Sequence, residues 1–188
     1  MQAFTQSRDA ATGDELWLLQ HPAVFTLGLA GRDAHVLAPG DIPVVRTDRG
    51  GQVTYHAPGQ LVAYPLIDLK RRGLGVKELV RRLEQAAIEV LEGHGLAGER
   101  IPGRPGAYVE GRKIAAVGLR VSRGCSYHGM ALNVDLALEP FGRIDPCGYP
   151  GLESTSLAAL GVRDSIDAVQ HRLAAALGRA LAGEAVLA

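Results

Sequence analysis

The sequence predicts an α+β fold: a mixed or antiparallel sheet with flanking helices. Three observations point there. Short apolar runs rich in β-branched residues fill much of the chain. Two amphipathic helical patterns stand far apart. Strand and helix signals do not alternate in the regular way of a parallel α/β sheet. The 188 residues fit a single domain spanning 1–188, with enough volume for a buried core.

Residues 15–27, ELWLLQHPAVFTL, read as extended segments broken at His21-Pro22. Residues 43–47 and 61–67 read as further strands. A helix is expected over 75–92. Val76, Leu79, Val80, Leu83, Ala87, Val90 and Leu91 recur at helical spacing, Lys77, Glu78, Arg81, Arg82, Glu84 and Glu89 fall elsewhere, and Gly93 and Gly95 end it. Residues 107–110 and 113–121 flank Gly111-Arg112, a tight hairpin signal. A turn at 122–124 leads into a strand over roughly 125–135. Ile166, Val169, Leu173, Leu177 and Leu181 mark a second helix over 165–181, capped by Asp164 or Ser165.

Composition narrows the function classes. Lys plus Arg is 20 and Asp plus Glu is 20, so the formal charge is zero. That balance argues against a dedicated nucleic-acid binder. Cys125 and Cys147 show no C-x-x-C spacing, and the six histidines form no H-E-x-x-H, so no metal or cofactor is implied. One disulfide is possible on counting alone. No run is apolar enough for a membrane span, and Met1 to Gly13 lacks a secretory pattern. The expectation is a cytoplasmic protein with reduced thiols.

Three segments carry chemistry. Arg49-Gly50-Gly51-Gln52-Val53-Thr54-Tyr55-His56 combines paired glycines with polar tips. Read locally, it is a tight strand connection or a loop whose backbone approaches a ligand; the Walker A pattern is absent. Lys113 opens an apolar strand. It either snorkels to water or sits in an apolar wall, where its ammonium acts on a neighbouring thiol. Cys147 lies between Pro146 and Gly148, in a turn rather than an apolar run. It reads as a reactive thiol or a small buried hydrophobe, and a short helix starting at Ser154-Thr155-Ser156-Leu157 would favour its anion. Cys125, inside a predicted strand, reads as structural. His128 reads as a hydrogen-bonded core histidine or a general base.

Taken in order, RGGQVTYHAPGQLVAYPLIDL, GRKIAAVGLRV, SYHGMALNVDL and F-x-x-I-x-PCG resemble the lipoyl(octanoyl) transferase family, and HPAVFTLG at 21–28 fits it too. The match runs from about Trp17 to Gly161. The resemblance implies a fold shared with biotin and lipoate protein ligases. It implies transfer of an octanoyl group from octanoyl-acyl carrier protein to a lysine of a lipoyl domain, in the 2-oxoacid dehydrogenases or the glycine cleavage H protein. Neither a nucleic acid nor a membrane is implied as partner. By resemblance, Cys147 carries the acyl group as a thioester, and Lys113 matches the lysine that depresses the cysteine pKa. Arg49 to His56 match the first substrate-binding segment, and Ala116-Val117-Gly118 and Gly129-Met130-Ala131 match the other two. The small residues Ala115, Ala116, Gly118, Gly129 and Ala131 would leave room for an acyl channel. Lys70-Arg71-Arg72 and Arg81-Arg82 read as docking patches for acidic partners or as ordinary solvated faces. The family also implies a longer N-terminal helix than Met1 to Gly13 provides.

Overall fold

Alternating apolar and polar residues, punctuated by glycine turns, assemble two sheets in the computed structural model, which describes residues 1–182. A short helix α1 (Gln2–Ser7) precedes β1 (Glu15–Leu19), β2 (Val24–Leu27), β3 (Val44–Arg46), β4 (Val53–His56) and β5 (Gln60–Leu66). Helix α2 (Val76–Glu92) follows. Then come β6 (Glu99–Ile101), β7 (Arg104–Val109), β8 (Arg112–Ser122), β9 (Cys125–Asn133) and, after several 3-10 turns, α3 (Ile166–Ala182). The larger sheet has order β1-β5-β9-β8-β7-β6 and is antiparallel throughout. The smaller, β3-β2-β4, is mixed, with β2 parallel to β3 and antiparallel to β4. The α+β class and the mixed or antiparallel pairing predicted from the sequence are both present.

Helices α2 and α3 pack together against one face of the larger sheet. Leu79, Leu83 and Leu91 of α2 and Leu173 and Leu177 of α3 are fully buried there. Each such side chain stabilises the fold by roughly 1.5–3 kcal/mol relative to exposure. Val76, counted in the apolar stripe, is instead 46% exposed, because it occupies the first helical position. Glu84, read as a polar-face residue, is buried. Its carboxylate accepts a hydrogen bond from Gly106 N at 2.9 Å and pairs with Arg100 at 3.2 Å, which satisfies its charge inside the protein. Ser165 caps α3, its Oγ accepting from Ala168 N at 3.2 Å.

The β7–β8 and β8–β9 hairpins of the larger sheet turn on left-handed residue pairs. Glu110 and Gly111 (φ 52° and 74°) join β7 to β8, one residue earlier than the sequence suggested, so Arg112 is already in the strand. Arg123 and Gly124 (φ 55° and 88°) join β8 to β9. Two positive φ values in a two-residue loop match the twist of the flanking strands.

Candidate active site

The two sheets enclose a slot of about 270 Å³, near the lower end of small-ligand cavities. Its floor is the larger sheet, contributed by Val62 and Tyr64 of β5, Ala116, Val117 and Gly118 of β8, and Gly129, Met130 and Ala131 of β9. Its roof is the smaller sheet, with Val24, Thr26, Val45, Thr54 and His56. Cys147 borders it.

Cys147 sits on a 3-10 turn, Pro146–Gly148, with φ 58°, followed by Gly148 at φ 74°. A non-glycine residue in this region costs of order 1–3 kcal/mol and persists only when neighbours hold it. Here Gly148 N donates to Asp145 O at 2.9 Å and Tyr149 N to Pro146 O at 3.1 Å. His35 grips Asp145 at 3.0 Å, and the Arg104 guanidinium stacks 4.3 Å from the Tyr149 ring. The Ser154–Leu157 segment does not aim a helix at the thiol, as the sequence suggested. It leads into a 3-10 turn at Ala158–Leu160, and the amides of Leu157 and Ala158 donate to Asn133 O at the end of β9 and to Val134 O just after it.

What faces the sulfur is Lys113. Its Nζ lies 2.9 Å from Cys147 Sγ and donates to Pro105 O at 2.8 Å, with the Tyr108 ring 5.4 Å away. The residue is only 4% exposed, so the wall position applies rather than the snorkelling one. Two packing features place it. The Glu84–Gly106 bond pins β7, which carries Pro105. The β7–β8 register also shifts, pairing Ala107 with Ala115 but Tyr108 with Lys113, so Ile114 is the extra residue of a bulge. Lys113 and Ala116 are three positions apart and would point to opposite faces of a regular strand. The bulge turns both toward Cys147, while Ala115 packs among the helix-side core residues. Ala115 thus leaves the channel wall and touches only a small adjoining pocket of about 10 Å³.

The 49–56 segment divides. Arg49, Gly51, Gln52, Val53, Thr54 and His56 line the slot; Gly50 and Tyr55 do not. Tyr55 packs between Phe25 and Phe141 in a second apolar cluster. Gly50 ties the loop to the large sheet, its N donating to Leu119 O at 2.9 Å, and a Cβ there would meet that oxygen at 2.9 Å. Arg49 donates to Thr26 O, Gly50 O and Gln52 O, closing the loop on itself. Burial pushes Arg49 down to about 10, a shift opposed by Cys147 and Tyr64, so it stays cationic at neutral pH.

Several lining residues escaped the sequence reading: His21, Val24, Thr26, Val45, Thr47, Val62 and Tyr64. Tyr64 was the one visible signal, a polar-tipped ring within the apolar run of β5. His128, left open from sequence, also lines the slot, with φ 57° in mid-strand and Nε2 2.8 Å from Asp48 Oδ1. Although burial opposes it, hydrogen bonds from His128, Tyr127 and Gln2 hold Asp48 down to about 2. Burial lowers His128 itself, against the pull of Asp48.

His56 is held as a neutral acceptor. Gln60 Nε2 donates to Tyr55 O and Asn133 Oδ1, so its Oε1 accepts from His56 Nδ1 at 2.7 Å, leaving the other ring nitrogen without a proton. Burial pushes His56 down to about 4. Both cysteines are free, Cys125 buried at the start of β9. Among the described residues no group of three or more His, Cys, Asp or Glu is placed to hold a metal, and no helix is long and apolar enough to cross a membrane.

The profile of the lipoyl protein ligase A/B catalytic domain matches residues 1–178. The chain belongs to this family. The octanoyltransferase of Alkalilimnicola ehrlichii is 60% identical over 174 residues, 93% of this chain and 81% of that protein. The fold agrees with solved members of the wider ligase group. A crystal structure of lipoate-protein ligase A bound with ATP superposes with a TM-score of 0.76 at 17% identity, over 96% of this chain and 78% of the other. The biotin protein ligase of Aquifex aeolicus gives 0.53 at 16% identity, over 67% and 54%. The biotin and lipoate ligase fold is therefore the one the resemblance implied.

The basic clusters largely serve this lipoyl protein ligase A/B fold internally. Arg71 and Arg72 converge on Asp14 with Arg8, Arg72 also donates to Leu181 O, and Arg82 binds Glu78 and Ala180 O.

Proposed function

We propose that this chain is one catalytic domain that moves an octanoyl group from octanoyl-acyl carrier protein to a lysine of a lipoyl domain, through a thioester on Cys147. The acceptors are lipoyl domains of 2-oxoacid dehydrogenases and the glycine cleavage H protein, and the setting is the cytoplasm, as the first step of endogenous protein lipoylation. The supporting observation is the Lys113 ammonium 2.9 Å from the Cys147 sulfur, beside an apolar slot. The 60% identity to an octanoyltransferase supports the acyl group and reaction class.

The chemistry balances without an energy source. An ammonium at hydrogen-bonding distance favours the thiolate, the attacking form. The Cys147 thiolate attacks the carbonyl carbon of the carrier thioester. The carrier's C–S bond breaks, and the departing sulfur takes a proton from Lys113. Thioester replaces thioester, so this exchange is close to isoenergetic. The acceptor lysine, having lost one proton to solvent, then attacks the same carbon as a free amine. The Cys147 C–S bond breaks, the amide forms, and the nitrogen's surplus proton returns to Lys113, restoring the ammonium–thiolate pair. Arg49 adds fixed positive charge to the slot.

Intact mass spectrometry after mixing with octanoyl-acyl carrier protein, without ATP, tests this reading. The expected result is one octanoyl adduct on the wild type, none on Cys147→Ala, and transfer of the adduct to an added lipoyl domain. Strict dependence on ATP, or an adduct that survives Cys147→Ala, would overturn it.

A further inference from the structure

The floor of the slot is graduated. Strands β5, β9 and β8 pair in register, so their residues form rows. Gln60 lies opposite Asn133, Val62 opposite Ala131, and Ala131 opposite Ala116. Two positions beyond Val62 comes Tyr64, and two before Ala131 comes Gly129, opposite Gly118. Gln60 and Asn133 line the small pocket that also holds Cys147 and Lys113, so the first row is the level of the sulfur. Between that row and Tyr64, the in-register rows of β8 and β9 carry small residues, Ala116 with Ala131 and Gly118 with Gly129.

At Tyr64 this changes. Tyr64 Oη lies 2.6 Å from His21 Nε2. The His21 ring is 5.7 Å from that of His56, and the Tyr64 ring stands edge-on to His128 at 6.1 Å. The Tyr64, His21 and His128 rings cluster at this row, while His56, bonded to Gln60, stands nearer the sulfur; aliphatic residues, glycines and a few polar side chains line the rest of the slot. Tyr64 Oη and His21 Nε2 satisfy each other, so neither of these two polar atoms needs a partner in the slot. Burial lowers the basicity of His21 and raises the Tyr64 pKa, which keeps both uncharged.

The spacing matches a chain length. Four residues from Gln60 to Tyr64 cover ~14 Å at ~3.4 Å each. An extended eight-carbon acyl chain projects ~9 Å, given C–C bonds of ~1.5 Å at ~111°. The thioester bond, together with a methyl-to-ring contact of ~3.5–4 Å, takes up the remainder.

We propose that the Tyr64–His21 pair is the end wall of the acyl slot and sets the length of chain that Cys147 accepts. The inference rests on the octanoyl-transfer reading above and adds the residues that measure the chain. One further methylene pressed against a fixed apolar wall is discriminated by at least about tenfold.

The test is adduct formation on Cys147 with carrier-protein thioesters from hexanoyl to dodecanoyl, followed by intact mass. Wild type is expected to favour octanoyl over dodecanoyl by at least about tenfold. In Tyr64→Ala, dodecanoyl should rise about tenfold relative to octanoyl. Ala131→Leu fills the second row and should shift preference to hexanoyl. His21→Ala opens the same wall without touching the sheet and reads the same ratio should Tyr64→Ala fail to fold. An unchanged octanoyl-to-dodecanoyl ratio in the folded wall variants, with adducts still forming, overturns the wall and leaves the transfer reading intact. No adduct of any length on the wild type sinks the transfer reading and the wall with it.

Discussion

The Lys113 ammonium reaches the Cys147 sulfur from inside the sheet, 2.9 Å away, across 34 positions of sequence. Its backbone is clamped as firmly as its tip. Lys113 N donates to Glu153 O and Thr155 N to Lys113 O, both at 2.9 Å, so the segment following Cys147 is stitched to the lysine's own strand. Neither group can drift far from the other without breaking that stitch.

This pairing predicts the effect of removing the charge. In Lys113→Met, which keeps much of the volume, acyl transfer from the carrier thioester should fall by about 10²–10⁴-fold. A folded Lys113→Met protein that transfers the acyl group at the wild-type rate would remove Lys113 from its catalytic role.

Glycine at 129 is required by packing. A Cβ there would lie 2.0 Å from Ala63 O and 2.6 Å from Pro65 Cδ, just past the last pair of the β5–β9 ladder, Ala63 with Met130. Gly129→Ala should cost about 1–3 kcal/mol by overpacking, measured by urea unfolding. Gly13→Ala is the comparison, because nothing lies within 4 Å of its added methyl; it should change stability little.

His56 makes stability depend on pH in a defined direction. Its folded-state pKa of about 4 lies below the ordinary histidine value of 6.5. Its neutral form therefore contributes stability that is full above pH 6.5 and is lost as pH falls through 4. The loss amounts to roughly 3 kcal/mol for a shift of this size. His21 and His128 are lowered too and act in the same direction. In His56→Gln the slope of unfolding free energy against pH between 6.5 and 4 should flatten by close to one proton; an unchanged slope would show that His56 does not titrate there.

Cys125 is buried in β9, next to the hairpin turn. Cys125→Ser should keep acyl transfer within about twofold and cost about 1–3 kcal/mol of stability for the buried hydroxyl. A large catalytic loss in a folded Cys125→Ser protein would contradict the structural role.

Much of the fold was legible because its signals are local. Helix α2 follows from apolar spacing and a terminal glycine, and the β7–β8 and β8–β9 hairpins follow from Gly111 and Gly124. Misreadings occurred where tertiary contacts override that local pattern. Glu84 looks like a surface residue until Gly106 and Arg100 come to meet it. Tyr55 sits in a binding-like motif yet turns away into the Phe25–Phe141 cluster. The Arg71-Arg72 pair, open in the sequence between a docking patch and a solvated face, is drawn onto Asp14, distant in sequence.

The sequence by itself determined the family, the α+β class and the choice of Cys147 and Lys113 as the residues to watch, because ordered motifs and residue types survive in one dimension. Only the tertiary structure decided that those two meet. Strand periodicity puts Lys113 on the wrong side relative to Ala116 and Gly118. The single-residue bulge at Ile114, an event of strand pairing that no local pattern encodes, turns the ammonium onto the face where the slot and the sulfur lie.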